Sequence, residues 1–145
     1  MAAGAWTLTN GAGKLLNDGT INPDADTFKM SLHTSAGNVS VTSTTYAALT
    51  GEVSNANGYT TGGASVGITT TTTTTNDVTV AQDAAVVWNA TSAGITAKWA
   101  VIYEVGGSIL CFATLDSGGA DVTATASNSL TVGGTAATIY TIAVP

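Results

Sequence analysis

Charge is the scarcest commodity in this chain. Asp, Glu, Lys and Arg together make up 8% of its 145 residues, against about 25% in ordinary soluble domains. Arginine is absent, the basic side chains are Lys14, Lys29 and Lys98, and the net charge is −6. Nucleic acids are held by cations that neutralise phosphates, and anionic membranes by polybasic segments. With three lysines in all, a basic patch cannot be built, so neither a nucleic acid nor a membrane is expected as a partner. The single cysteine, Cys111, excludes an internal disulfide. Its apolar surroundings read as a buried small hydrophobe rather than a nucleophile. The single histidine, His33, leaves zinc without a ligand set and a nucleophile without a dedicated base. No apolar run approaches the ~18 residues of a membrane span. Met1-Ala2-Ala3-Gly4 lacks the positive and apolar regions of a signal peptide, so synthesis in a cytoplasm is expected.

Thr, Ala, Ser, Gly and Asn stand where Lys and Glu usually do. A surface of small uncharged side chains suits close packing against other chains. It does not suit a protein kept in solution by charge repulsion. The length suits one domain, residues 1–145, large enough to bury a core without metal or disulfide.

Hydrophobic patterning predicts an all-β fold. Trp6-Thr7-Leu8 reads as a short strand, and residues 10–16 as a turn or two of helix stopped at Gly19. Together they make residues 1–26 an N-terminal arm carrying a short helix. In Thr27 to His33, Phe28, Met30 and Leu32 alternate with Lys29, Ser31 and His33, which predicts a strand with one solvated face. Thr45 to Leu49 reads as one helical turn. Ala64 to Val80, including the run Thr69 to Thr75, reads as strand because β-branched side chains favour extended backbone; Asn76-Asp77 is the turn within it. Ala85 to Trp88 is a further strand. Ala97 to Val105 and Ile109 to Leu115 form a hairpin about Gly106-Gly107. Both of its strands are apolar on both faces, so the pair is placed centrally. Ser129 to Val132 and Thr138 to Val144 complete about eight antiparallel strands with one or two short helical turns, a β-sandwich or jelly roll.

Candidate chemistry is sparse. Asn10-Gly11-Ala12-Gly13-Lys14 has glycines and a lysine but lacks the spacing of a phosphate loop. Asn22, Asp24 and Asp26, and the turn with Asp116 and Asp121, offer oxygen ligands to calcium. Asp and Asn also favour such turns by bonding their own backbone, which is the favoured reading. Asp83, Glu104 and Asp116 lie near strands, with nothing to single out a catalytic pair. The sequons at Asn38 and Asn89 are expected by chance in a chain this rich in Ser and Thr. No cofactor, metal or catalytic residue is therefore assigned. The loop Gly58-Tyr59-Thr60-Thr61-Gly62-Gly63 is the candidate protein-contact surface. There Tyr59 is either an exposed anchor or a plug tucked over the sheet end.

That loop after Glu52-Val53, the Val86-Val87-Trp88 strand, the Ala97 to Tyr103 strand and the opening Asp26 to Thr34, in this order and spacing, resemble small structural proteins of tailed bacteriophages. The resemblance runs from about Asp26 to Leu115. It implies a head decoration (cement) protein without catalytic residues, bound to the major capsid protein on the exterior of the virion, with self-association as a dimer or trimer. The alternative within that group is a receptor- or carbohydrate-binding module of a tail or fibre, for which Tyr59 and Tyr46 are the first candidate platforms. A small acidic hydrolase ranks last.

Overall fold

The computed structural model describes residues 4–73 and 76–143. In chain order the elements are β1 (Thr7–Leu8), α1 (Ala12–Asn17), β2 (Phe28–His33), a 3-10 turn (Tyr46–Ala48), β3 (Ala64–Val66), β4 (Ile68–Thr72), β5 (Val78–Gln82), β6 (Val86–Asn89), β7 (Ile95–Ala97), β8 (Trp99–Glu104), β9 (Ile109–Thr114), β10 (Val122–Ala124), β11 (Ser129–Val132) and β12 (Ala137–Ile142). The chain is an all-β antiparallel sandwich. A five-stranded sheet runs β1-β9-β8-β2-β3, and the facing strands are grouped as β12-β5-β4, β11-β6 and β10-β7.

The central hairpin is where the sequence places it. Trp99 pairs with Thr114 and Val101 with Phe112, and β8 lies between β9 and β2. The main core fills the space between the layers. Phe28, Met30, Leu32, Ile102 and Leu110 come from the large sheet, and Val86, Trp88, Ile95, Leu130 and Ile139 from the facing strands. Burying a side chain of this size contributes about 1.5–3 kcal/mol. Residues 4–26 are packed into this body. Gly4 N–H donates to the Thr114 carbonyl at 2.8 Å, and Ala12 and Ile21 sit in the main core. Residues 1–3 of the expected arm, Thr74-Thr75 of the threonine run and Val144 of the last strand lie outside the described residues.

The second face of the large sheet is not solvated. A second cluster, Val39, Val101, Tyr103, Ile109 and Phe112, is covered by Tyr46 and Leu49. The covering residues belong to a strap, residues 34–53, tied down by Tyr46 N–H to the Gly107 carbonyl at 2.7 Å and Val53 N–H to the Leu32 carbonyl at 2.9 Å. This corrects the reading of β2. Ser31 and His33, expected on a polar outer face, are both 0% exposed. Alternation along one strand records two faces of a sheet, but not a distant loop that covers one of them.

Trp6-Thr7-Leu8, read as a short strand, is β1. Three further strand segments escape the pattern. β7 and β10 span only three residues each, too short for alternation to register. Gly67 divides what reads as one threonine-rich strand into β3 and β4. An added Cβ on Gly67 would lie against the Asp83 carboxylate, so a larger residue here would have to displace that side chain.

Candidate functional site

Tyr59 is a plug. It is 2% exposed, its ring lies 6.2 Å from that of Trp88, and it packs in the main core. Two glycines let the loop enter so deeply. Gly58 has φ +94°, and a Cβ there would fall 2.0 Å from the Asn89 carbonyl oxygen; Gly63 has φ +71°, and its Cβ would fall 1.8 Å from that of Met30. Any other residue would displace the loop from the strands it touches.

The loop closes on Glu52. Tyr59 Oη donates to Glu52 Oε1 at 2.7 Å, and Gly62 N–H donates to the same oxygen at 2.7 Å. Tyr46 Oη donates to Oε2 at 2.6 Å. Leu32 N–H donates to Tyr59 Oη at 3.1 Å, and Tyr103 Oη donates to the Gly62 carbonyl at 2.8 Å. Tyr46 and Tyr103 stack with centroids 4.2 Å apart and planes 6° from parallel. The Glu52 carboxylate thus joins the strap to the glycine loop through two tyrosines and the Gly62 N–H, and Tyr103 ties β8 to both. Burial, then the Glu52 carboxylate, pushes the Tyr59 and Tyr46 phenols well above their ordinary range, and Tyr103 is raised by the same two causes. All three stay neutral donors across the physiological range. Bonds to a charged acceptor are shorter and stronger than neutral ones.

His33 underpins the same strap. Its Nδ1 lies 3.0 Å from the Thr50 carbonyl oxygen, which can only accept, so Nδ1 carries the proton and donates. Nε2 lies 3.0 Å from Ser31 Oγ and accepts from it. Burial pushes the imidazole below its ordinary value, against smaller opposing effects from the Thr50 bond and the Glu52 charge. The ring is a structural tie between β2 and the strap.

Comparison with protein-family models, with curated proteins and with solved structures finds no match to this chain.

The remaining expected residues are dispersed. Asp26 Oδ2 accepts from Asn22 N–H at 2.7 Å, and Asn22 Oδ1 accepts from Asp24 N–H at 3.1 Å. Asp116 Oδ2 accepts from Gly118 N–H at 3.0 Å, and Asp121 accepts from Ser35 Oγ at 3.1 Å. These carboxylates brace turns, and among the described residues no three or more His, Cys, Asp or Glu come together as a metal site would require. Asp83 accepts from Thr69 Oγ1. Glu104 ends β8 at the hairpin turn, whereas Asp116 follows the far end of β9, so the strand length separates them. Burial raises the Cys111 thiol, which is 0% exposed. It stays protonated and behaves as the expected small hydrophobe.

Of the glycine loop, Gly58, Thr60 and Thr61 remain exposed, while Gly62 and Gly63 are half-buried. Sequence reasoning named Tyr59 but missed Glu52 as its organiser. The available signal was a glutamate between two tyrosines in a chain with so few charges.

Proposed function

We propose that this chain is a virion structural protein, a decoration (cement) protein that binds the outer surface of an assembled phage head through the major capsid protein, as a dimer or trimer, and acts by binding rather than by catalysis. The observation that carries this reading, beside the sequence resemblance, is the outer face of the β12-β5-β4 sheet. Register places Thr71 beside Thr79 and Thr79 beside Thr141, and sets Thr69 and Thr138 on either side of Ala81. Asp83 stands at the end of this surface, with its carboxylate taken up by Thr69.

Such a face suits docking on a repeated lattice. Threonine is β-branched and already restricted in χ1. Covering it therefore costs little side-chain entropy, whereas each immobilised long side chain costs about 0.5–1.5 kcal/mol. It presents hydroxyls without a charge to desolvate. A protein that binds the assembled lattice but not free subunits stabilises the lattice by mass action. Tyr59, as a buried plug, offers nothing to the alternative of an exposed aromatic platform.

The test is addition of the purified protein to undecorated heads of the phage that encodes it. Saturable binding and a higher temperature of head disruption are expected. Thr71→Lys with Thr79→Lys, which puts two ammonium groups on the face, abolishes both. Absence of saturable binding by the native protein sinks the proposal.

A further inference from the structure

At one end of the molecule the turn from β6 to β7 lies against the turn from β10 to β11. Ala90 N–H donates to the Asn128 carbonyl at 2.8 Å, and Ser127 N–H donates to the Ala90 carbonyl at 2.9 Å. Between the turns is a recess of about 410 Å³ lined by Asn89, Thr91, Ser92, Ser127 and Asn128, with Ala90 and Ala126 between them. That volume is within the ~300–1,000 Å³ of small-molecule pockets. The lining carries no ionised group and no apolar side chain larger than alanine.

Ser92 has φ +47° and Ser127 has φ +68°. A non-glycine residue pays about 1 kcal/mol or more for that conformation. Glycine would adopt it freely, and glycine is plentiful in this chain. What serine adds is a hydroxyl. Neither hydroxyl hydrogen-bonds within the described part of the molecule, nor does that of Thr91; all three residues are exposed, so their hydroxyls face solvent and are open to a ligand. Asn89 spends Oδ1 on Ser129 Oγ at 2.7 Å, and Asn128 spends Nδ2 on Thr125 Oγ1 at 2.7 Å. Asn89 Nδ2 and Asn128 Oδ1 remain over. Ala136, also left-handed at φ +59°, belongs to the separate turn before β12 and lines no part of this recess.

We propose that this recess is a binding site for a neutral saccharide. Unspent hydroxyls and amides in a small, uncharged concavity match the alternating donors and acceptors of sugar hydroxyls. They supply no cation to neutralise a phosphate or a carboxylate and no apolar side chain large enough to hold a bulky apolar group. A peptide strand needs free backbone groups, and those between the two turns are already paired with each other. The site is independent of the threonine face, so it stands or falls apart from head binding.

The test is amide NMR of the full chain titrated with glucose, galactose, N-acetylglucosamine, lactose and sucrose. At least one is expected to give saturable shifts at residues 89–92 and 126–128, with a Kd on the order of 1 mM or tighter. Ser92→Gly with Ser127→Gly removes both hydroxyls while keeping the backbone conformation. It is expected to weaken that binding about fivefold or more with Tm unchanged or raised, so loss of binding is not loss of fold. The proposal is overturned if none of the sugars gives saturable shifts there, if the shifts fall elsewhere, or if the double variant binds as tightly as the native chain.

Discussion

The loop of residues 57–63 separates two polar regions built on opposite plans. On one side, both oxygens of Glu52 are occupied by tyrosine hydroxyls and a backbone N–H. On the other, the Asn57 carbonyl accepts from Thr91 N–H at 2.9 Å, and in the recess beyond the hydroxyls of Thr91, Ser92 and Ser127 have no partner among the described residues. The first region converts polar groups into rigidity, because each is at least partly desolvated and is satisfied. The second holds two serines in strained backbone, and their hydroxyls make no hydrogen bond within the described residues. Glu52, Tyr46, Tyr59 and Tyr103 are scaffold, and the contacts proposed above fall instead on small hydroxyl residues that composition alone treats as filler.

The largest effect expected is at the scaffold. Glu52→Ala strands two phenols and a backbone N–H. Bonds to a charged acceptor contribute about 1.5–3 kcal/mol when buried, and the half-exposure of Glu52 reduces this. The net expectation is a loss of about 3 kcal/mol, or roughly 6–12 °C in Tm, read by calorimetry or chemical denaturation. Tyr59→Phe keeps the ring and removes one hydroxyl, leaving Leu32 N–H without its acceptor. It is expected to cost about 1–3 kcal/mol, and a loss near zero would mean that the two regions do not differ as described.

Titration sharpens the contrast. His33 is lowered in the folded protein, so the unfolded chain takes up the proton first. The stability His33 contributes is complete above the ordinary histidine value of about 6.5 and is lost as pH falls from there toward its folded value. His33→Gln should flatten this part of the stability-pH curve. Tyr46 and Tyr59 are raised, so their contribution is complete below about 10 and is lost as pH rises through that value. Tyr59→Phe should reduce the alkaline slope. The smallest effect belongs to the threonine face. Thr71→Ser and Thr79→Ser should each change stability by no more than about 0.5 kcal/mol, whereas comparable changes at the Glu52 cluster are felt throughout the strap.

Much of the fold is legible one segment at a time. The Gly106-Gly107 hairpin with its doubly apolar strands places β8 and β9 at the centre, because a strand buried on both faces loses its alternation. The helical turn at Tyr46–Ala48 and the strand character of the threonine run follow from local preference. His33 shows where such reading stops. Its strand pattern matches a solvated position, and the group that buries it is a strap whose anchoring atoms include Gly107, far along the chain. Tyr59 was readable as anchor or plug because glycine loops permit both. Its burial is decided by Gly58 and Gly63 approaching the Asn89 and Met30 carbonyls.

The sequence by itself determined the all-β class, the central hairpin and a surface nearly free of charge, since these follow from residue type and short-range period. Tertiary structure alone decided which polar groups are spent and which are left over. Glu52, Tyr46, Tyr59 and Tyr103 meet only when the strap crosses the large sheet, and Ser92 and Ser127 share a recess only when two turns some 35 residues apart lie against each other. Hydrogen-bond satisfaction is a property of neighbours in space, and no period along the chain encodes it.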